Sequence, residues 1–115
     1  MIQIEIERIK GNVISMTVEG HAETDDSRDD IVCASISILA QTCVLSLYEI
    51  AGINELTYVM HDGYLEFQIP EKLSKAKREK ADIIIGTLLL GIQGTQEMHP
   101  QYIEICEKEV RSDAF

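Results

Sequence analysis

Apolar and polar residues alternate over most of the first twenty positions. One alternating run extends from Ile2 to Ile9, and a second extends from Val13 to Glu19. A period of two is typical of strands that bury one face. Between the runs, Gly11-Asn12 supplies residues that favour a turn. The pattern therefore predicts an N-terminal β-hairpin.

The next segment predicts an exposed loop followed by a helix. Residues 22–30, AETDDSRDD, contain no large apolar residue, so we expect an exposed loop from Ala22 to Asp29. Asp30 is a suitable N-cap, and from Ile31 to about Ile50 apolar residues recur at helical spacing over most of the circumference. Gly52 can end this helix. We expect the helix to begin after Asp30 and to be largely buried.

A second hairpin is predicted in the middle of the chain. The runs Glu55 to Met60 and Tyr64 to Ile69 are rich in β-forming residues and flank the tripeptide His61-Asp62-Gly63. An Asp-Gly pair favours the positive φ of a tight turn. Pro70 then ends the second strand.

A second helix is predicted from the Ser74 cap to Met98, before His99-Pro100 breaks it. Within it, β-branched residues and glycines lower helix propensity and leave a strand open as the alternative: Ile83, Ile84, Ile85, Gly86, Gly91 and Gly94. Helix is preferred because the segment lacks proline and because glycines on a buried helix permit close packing against a neighbour. Residues 102–110, YIEICEKEV, alternate again and predict a final strand.

The predicted order is ββαββαβ in one domain spanning residues 1–115. A chain of 115 residues with 45% hydrophobic content has room for one core. An α+β fold, with two helices packed on one face of a mostly antiparallel five-stranded sheet, would bury both apolar helix stripes.

The net charge of the protein indicates which kinds of molecule it can bind. The chain carries 20 acidic and 10 basic residues, a net charge of -10, which repels phosphates and favours a basic partner over direct nucleic-acid binding. The N-terminus lacks the pattern of a signal peptide, and the longest strongly apolar stretch, Ala81 to Ile92, is shorter than the roughly 20 residues of a membrane span. We therefore expect a cytoplasmic protein without membrane contact.

The three cysteines, Cys33, Cys43 and Cys106, are odd in number and show no CxxC spacing. Neither a disulfide framework nor a zinc site is indicated, and we expect no cofactor. Counted from the Asp30 cap, Cys33 would be the third helical residue, where free N–H groups and the helix dipole favour a thiolate. A buried core thiol is the plainer alternative.

His21 stands where the second strand ends, twelve residues before Cys33, and the intervening loop is long enough to fold it back to the helix. A surface histidine is equally compatible with this position. His61 belongs to the predicted hairpin turn and His99 precedes Pro100. A histidine and a first-turn cysteine flanking one loop indicate a nucleophilic Cys-His site.

The segment GHAETDDSRDDIVCASIS, residues 20–37, resembles the signature of the ribosomal-processing cysteine protease (Prp) family, G-H-A followed by D-I-V-C-A-x-x-S. The spacing between the histidine and the cysteine is that of the family. The resemblance extends over the whole chain, because the predicted order of helices and strands is similar to that of the family. Members often carry glycine two residues before the Asp of D-I-V-C, where this chain has Arg28. The substitution affects the loop and leaves the two reactive residues in place.

The resemblance implies a homodimeric bacterial endopeptidase that removes a short N-terminal extension from large-subunit ribosomal protein twenty-seven. Cys33 would then attack the peptide bond, with His21 as acid and base. The acidic balance suits a basic ribosomal protein substrate. Two other functions remain open at this point: a non-enzymatic dimeric module that binds a basic ribosomal protein, and a thiol redox sensor built on Cys33.

Three further residues are expected to support the site. Asp30 either orients His21 or only caps the helix, and Ser37, one turn after Cys33, either contacts the dyad and substrate or bonds to the Cys33 carbonyl. Gly20 allows a sharp exit from the strand and leaves room for substrate. We expect the free N–H groups of the first helical turn to bind the oxyanion, and the loop to be mobile until substrate binds.

Overall fold

A computed structural model describes residues 1–20 and 27–110, with only the backbone described for residues 27–30. The order ββαββαβ is confirmed, and five strands form one sheet in the order β3-β4-β2-β1-β5. The elements are β1 (Ile2–Ile9), β2 (Asn12–Glu19), α1 (Ser27–Glu49), β3 (Thr57–His61), β4 (Tyr64–Gln68), α2 (Lys75–Met98) and β5 (Ile103–Glu109).

The sheet is mixed, because β5 pairs with β1 in parallel while the other three pairings are antiparallel. Ile4 lies opposite Ile105 in the parallel pair, and the Ile2 amide donates to the Tyr102 carbonyl at 2.8 Å. The chain thus places its first and last strands side by side, with β1 in the interior of the sheet.

Both predicted hairpins form. The first turn is Lys10-Gly11, one residue earlier than expected, because both residues have positive φ (51° and 81°). Two positive φ values match the twist of a tight hairpin, and Ile9 pairs with Asn12 across it. The second turn is the expected Asp62-Gly63, with Gly63 at φ 76°.

The two faces of the sheet differ. Side chains alternate between the faces of a strand, so Leu65 and Phe67 of β4 point to one face and Tyr64 and Glu66 to the other. The first face is buried under the helices, where the largest fully buried side chains include Phe67, Ile4, Ile6, Met16, Ile36, Leu47, Ile85 and Ile92. Among the described residues, the helices cover this face alone, and the other face of the sheet is open.

Helix α1 begins at Ser27, earlier than predicted. The predicted start was based on the spacing of apolar residues, which begins only where the helix contacts the core. A polar first turn is not detected by that pattern. Acidic residues are stabilised in a first helical turn by the helix dipole, and Arg28 favours helix by about 1 kcal/mol over the family's glycine. Asp30 is therefore the fourth helical residue and not the N-cap, and the predicted exposed loop from Ala22 to Asp29 ends before Ser27.

Helix α2 is confirmed, and the strand alternative is wrong. The Ser74 hydroxyl accepts a hydrogen bond from the Lys77 amide at 3.2 Å, as expected of an N-cap. The two helices pack closely at Gly91, where an added Cβ would lie 3.2 Å from Leu39 Cδ1. Gly91 thus permits the predicted close approach.

Helix α1 is not largely buried. Its residues from Ile31 to Tyr48 include no charged side chain, and this helix, rather than Ala81 to Ile92, is long and apolar enough to cross a membrane by length and composition. Core helices pass the same test, and α1 packs one side on the sheet. Its outward side forms, with that of α2, the outer helix stripe: Ile31, Ile38, Leu45, Ile83 and Leu90, all exposed.

Candidate active site

A groove of about 500 Å³ lies between α1 and the β3–β4 hairpin. Cys33, Ser37 and Gln41 line it from α1. Met60 of β3 and Leu65 of β4 line it from the sheet. The groove is open to solvent.

Cys33 is half-buried and lines this groove, so its sulfur is not sealed in the core. Residues four apart share a helix face, which places Ser37 one turn and Gln41 two turns from Cys33 along the groove. The Ser35 hydroxyl donates to the Ile31 carbonyl at 2.8 Å, whereas Ser37 makes no side-chain hydrogen bond within the described part of the chain. The Ser37 hydroxyl is therefore available to a ligand.

The other two cysteines have different surroundings. Cys43 is buried, and burial raises the pKa of its thiol to about 12, so it stays protonated and unreactive at neutral pH. Cys106 is exposed on β5 and lies opposite Glu5, on the open face of the sheet. Among the three cysteines, Cys33 alone lines the groove between α1 and the hairpin.

The earlier start of α1 changes the predicted chemistry of Cys33. Cys33 is the seventh helical residue, so its amide donates within the helix to the residue four positions before it. The helix dipole acts mainly within the first turn. The prediction that Cys33 lies in the first turn is therefore wrong, and the Cys33 N–H group is not among the free groups of that turn that were expected to bind the oxyanion.

Gly20 lines the groove at the end of β2 and has a φ of 119°. Its amide donates to the Gly63 carbonyl at 3.0 Å, which ties the strand end to the hairpin turn. A Cβ at this position would collide with the Met1 carbonyl oxygen. Gly20 is thus required by the neighbouring backbone as well as by the turn out of the strand, a constraint that the sequence did not reveal.

Two of the three histidines are described. The His61 ring stacks on Tyr64 with centroids 5.0 Å apart, and Tyr64 donates to Glu66 at 2.5 Å, which raises the pKa of Tyr64. Both His61 and Tyr64 border the groove that Cys33 lines, and the stacking holds the His61 ring against Tyr64. His99 caps α2 and packs against Tyr102 outside the groove.

His21 and Ala22 lie outside the described residues, and so does the side chain of Asp30. The expected mobile loop also lies there, apart from residues 27–29 in α1. Within the described residues, no cluster of three metal-ligating side chains is present. The structure thus brings Gly20, Cys33 and Ser37 together and leaves the other predicted site residues untested.

Two groove residues were not predicted from the sequence, Gln41 on α1 and Met60 on the sheet wall. Gln41 could have been found, because it continues the four-residue spacing from Cys33 through Ser37. Met60 gave no such signal, since an apolar residue in a short strand is expected in any core. Its place in the groove depends on where α1 lies across the sheet, which is a tertiary property.

Comparison with known proteins agrees with this arrangement. A family model described as cysteine protease Prp matches residues 1–104. The ribosomal processing cysteine protease Prp of Bacillus subtilis (strain 168) is 31% identical over 96 residues, which cover 81% of this chain and 85% of that protein.

Solved structures share the fold. A Streptococcus mutans protein, SMU.848, superposes with a TM-score of 0.78 at 28% identity, covering 96% of each chain. The essential ribosomal processing protease Prp from S. aureus, solved in complex with a substrate peptide, superposes with a TM-score of 0.75 at 23% identity, covering 94% of this chain and all of that chain. From the family model and the B. subtilis relative, the chain belongs to the Prp family of ribosomal processing proteases and is a cysteine protease.

Proposed function

We propose that this protease removes a short N-terminal extension from large-subunit ribosomal protein twenty-seven, with Cys33 as nucleophile and His21 as acid–base partner. The observation that carries the proposal is the position of Cys33, a half-buried residue that lines an open groove of about 500 Å³. Gly20, the residue joined to His21, lines the same groove from the opposite element.

The other histidines support the choice of His21. The His61 ring is stacked on Tyr64, and His99 packs at the end of α2. His99 lies outside the groove, and His61, which borders the groove, has its ring engaged in stacking on Tyr64, so His21 is proposed as the histidine for the reaction. A general base must come within hydrogen-bonding distance of the thiol, and His21 belongs to the short segment of chain between the end of β2 and the start of α1.

The reaction follows from these two groups. His21 takes the proton of the Cys33 thiol as the sulfur attacks the carbonyl carbon of the scissile bond, and when the C–N bond breaks His21 passes this proton to the leaving amine. Water then attacks the thioester, with His21 taking its proton, and releases the acid and the free thiol. The unbonded Ser37 hydroxyl, one helical turn from Cys33, can donate to a carbonyl of the bound peptide.

The charge of the protein supports a basic substrate. A net charge of -10 raises the encounter rate with a basic ribosomal protein, and the same charge disfavours direct contact with nucleic acid. The S. aureus relative has been solved with a substrate peptide and with a covalently linked product peptide. A covalent product is consistent with a thiol nucleophile in that protein, and the same chemistry is proposed for Cys33.

We expect the purified protein to cleave a peptide spanning the N-terminal extension of large-subunit ribosomal protein twenty-seven at one bond. Mass spectrometry of the products over time gives both the activity and the cut site. The matched control is a peptide of the same composition in scrambled order, which should remain intact. Equal cleavage of both peptides, or of neither, would contradict the proposed substrate.

The active form is proposed to be a cytoplasmic homodimer that pairs through the outer helix stripe. Single exposed apolar residues are ordinary, but this stripe runs along both helices and no charged residue interrupts α1 from Ile31 to Tyr48. About a quarter of the residues of this protein are charged, so a helix face that is exposed to solvent in the active protein would be expected to carry some of them. The absence of charge from the stripe therefore favours its being covered. A second copy can cover the stripe symmetrically.

Replacing Ile38 by glutamate should convert a dimer to a monomer, because Ile38 is 65% exposed at the middle of the α1 part of the stripe. Burying an unpaired carboxylate in an interface costs several kcal/mol, enough to raise the dimer Kd at least about 100-fold. Light scattering measures the mass. The control is Gln3→Glu, which adds the same charge on the open sheet face and should leave the mass of the dimer unchanged. If the unsubstituted protein has the mass of a monomer, the proposed dimer is wrong.

A further inference from the structure

Strand β3 is an edge of the sheet whose outer side has no partner strand among residues 1–20 and 27–110. Its three central residues are large, apolar and exposed: Tyr58 (57%), Val59 (53%) and Met60 (43%). An unpaired edge presents a row of backbone N–H and C=O groups that can pair with another chain. β3 contains no proline and no charged Asp, Glu, Lys or Arg that would discourage such pairing.

The opposite edge of the same sheet is protected. Strand β5, IEICEKE, carries charged residues at four of its seven positions, including Lys108 near its end. Charges along an edge are the usual means by which proteins avoid edge-to-edge association. The contrast between the two edges indicates that β3 is left open for a partner, while β5 is not.

The open edge is continuous with the groove that holds Cys33. Met60 belongs to both, and β3 ends at His61, which borders the groove. Tyr58 and Met60 pair with Phe67 and Leu65, so they point to the helix side of the sheet. Because both remain exposed, α1 does not cover this part of the sheet, and an apolar floor extends from the groove along β3.

We propose that the substrate binds as an additional strand along the free edge of β3, with its scissile bond at Cys33. The occupant is an extended peptide whose alternate side chains are apolar and lie beside Tyr58 and Met60. This inference rests on the proposed peptidase function of the Cys33 groove. Main-chain hydrogen bonds to β3 hold the peptide, and the alternating apolar contacts select its sequence.

The strand length sets the length of the recognised segment. Five residues at about 3.3 Å each span roughly 17 Å, so about five substrate residues on one side of the cut pair with β3. Residues within this segment that point toward the helices contact Tyr58 and Met60, and the intervening residues point to the open face. Recognition is therefore expected to alternate along the substrate with a period of two.

A scan of N-methylated substrate peptides tests this pairing. N-methylation removes one amide donor at a time, and in a paired strand every second amide faces the partner. We expect kcat/KM to fall about tenfold or more at alternate positions over about five residues on one side of the cut, with smaller losses between them. Losses without alternation would overturn strand addition, whereas failure to cleave even the unmodified peptide would overturn the proposed function itself.

Proline substitutions test the protein side. Successive residues of β3 alternate between bonding β4 and facing the free edge, so one of the variants Tyr58→Pro and Val59→Pro keeps the β3–β4 pairing. Circular dichroism identifies which of the two variants stays folded, and that variant should lose most of its cleavage activity. The matched control is the same substitution on the opposite edge of the sheet, Cys106→Pro or Glu107→Pro in β5. The folded variant of this pair should retain cleavage activity. Full cleavage by the folded β3 variant would overturn the proposal. A change in the oligomeric mass of that variant would also overturn it, because it would indicate that a second copy of the chain pairs with this edge.

Discussion

Replacement of Cys33 by alanine should lower kcat/KM for the substrate peptide by at least about 10³-fold, equivalent to about 4 kcal/mol of transition-state stabilisation. The reason is that no other thiol lines the groove and the Cys43 thiol, with a pKa of about 12, stays protonated. The folded structure should persist, since Cys33 is only half-buried. Product formation by mass spectrometry and thermal unfolding measure the two effects.

His21→Ala should lower the rate by about 10² to 10⁴-fold, the range expected when a general acid–base group is removed. His99→Asn is the matched control, because His99 lies at the end of α2 outside the groove and should leave kcat unchanged. The dyad assignment would be contradicted if His61→Asn, rather than His21→Ala, abolished cleavage. Full turnover by Cys33→Ala would equally exclude the thiol mechanism.

Replacement of Gly20 by alanine should lower the free energy of unfolding by about 1 to 3 kcal/mol from backbone strain alone, and by more once the steric collision is added. Activity should fall as well. Two costs add: the φ of 119° is strained for any L side chain, and the new Cβ meets the Met1 carbonyl oxygen, which is backbone and cannot rotate away. Relief of that collision moves the end of β2, and therefore the residue that follows it. Chemical denaturation gives the free energy of unfolding.

Two other glycines separate these costs. Gly11 has a positive φ of 81° but no atom within 4 Å of an added Cβ, so Gly11→Ala should cost only about 1 kcal/mol. Gly86 is helical and equally open, so Gly86→Ala should stabilise the protein by up to about 1 kcal/mol. If Gly20→Ala costs no more than Gly11→Ala, the collision with the first residue is absent in solution.

The local pattern of the chain predicted its elements well. Alternation identified β1, β2 and β5, and the Ser74 cap located the start of α2 to the residue. These features depend on neighbours a few positions apart, which a sequence displays directly. The start of α1 did not follow this rule, because its first turn is polar and the apolar spacing begins only at the core.

The candidate site was harder to predict than the fold. The signature around Cys33 identified the nucleophile through resemblance to a family, whereas the groove walls depend on how α1 crosses the sheet. Nothing local marks Met60 as a groove residue, and the collision at Gly20 involves a residue nineteen positions earlier. The exposed stripe on α1 was likewise hidden, since an uncharged apolar helix has the same sequence pattern whether a core or a second subunit covers it.

The parallel pairing of β1 with β5 affects when the protease can become active during its own synthesis. β1 is made before β5, so one of its sides stays without a partner strand until residues 103–109 are available, and the Val110 amide then donates to the Arg8 carbonyl at 2.7 Å. About a hundred residues separate the two strands, so this contact forms late. A nascent chain therefore holds its reactive cysteine on an unfinished sheet until residues 103–109 have been made and have paired with β1.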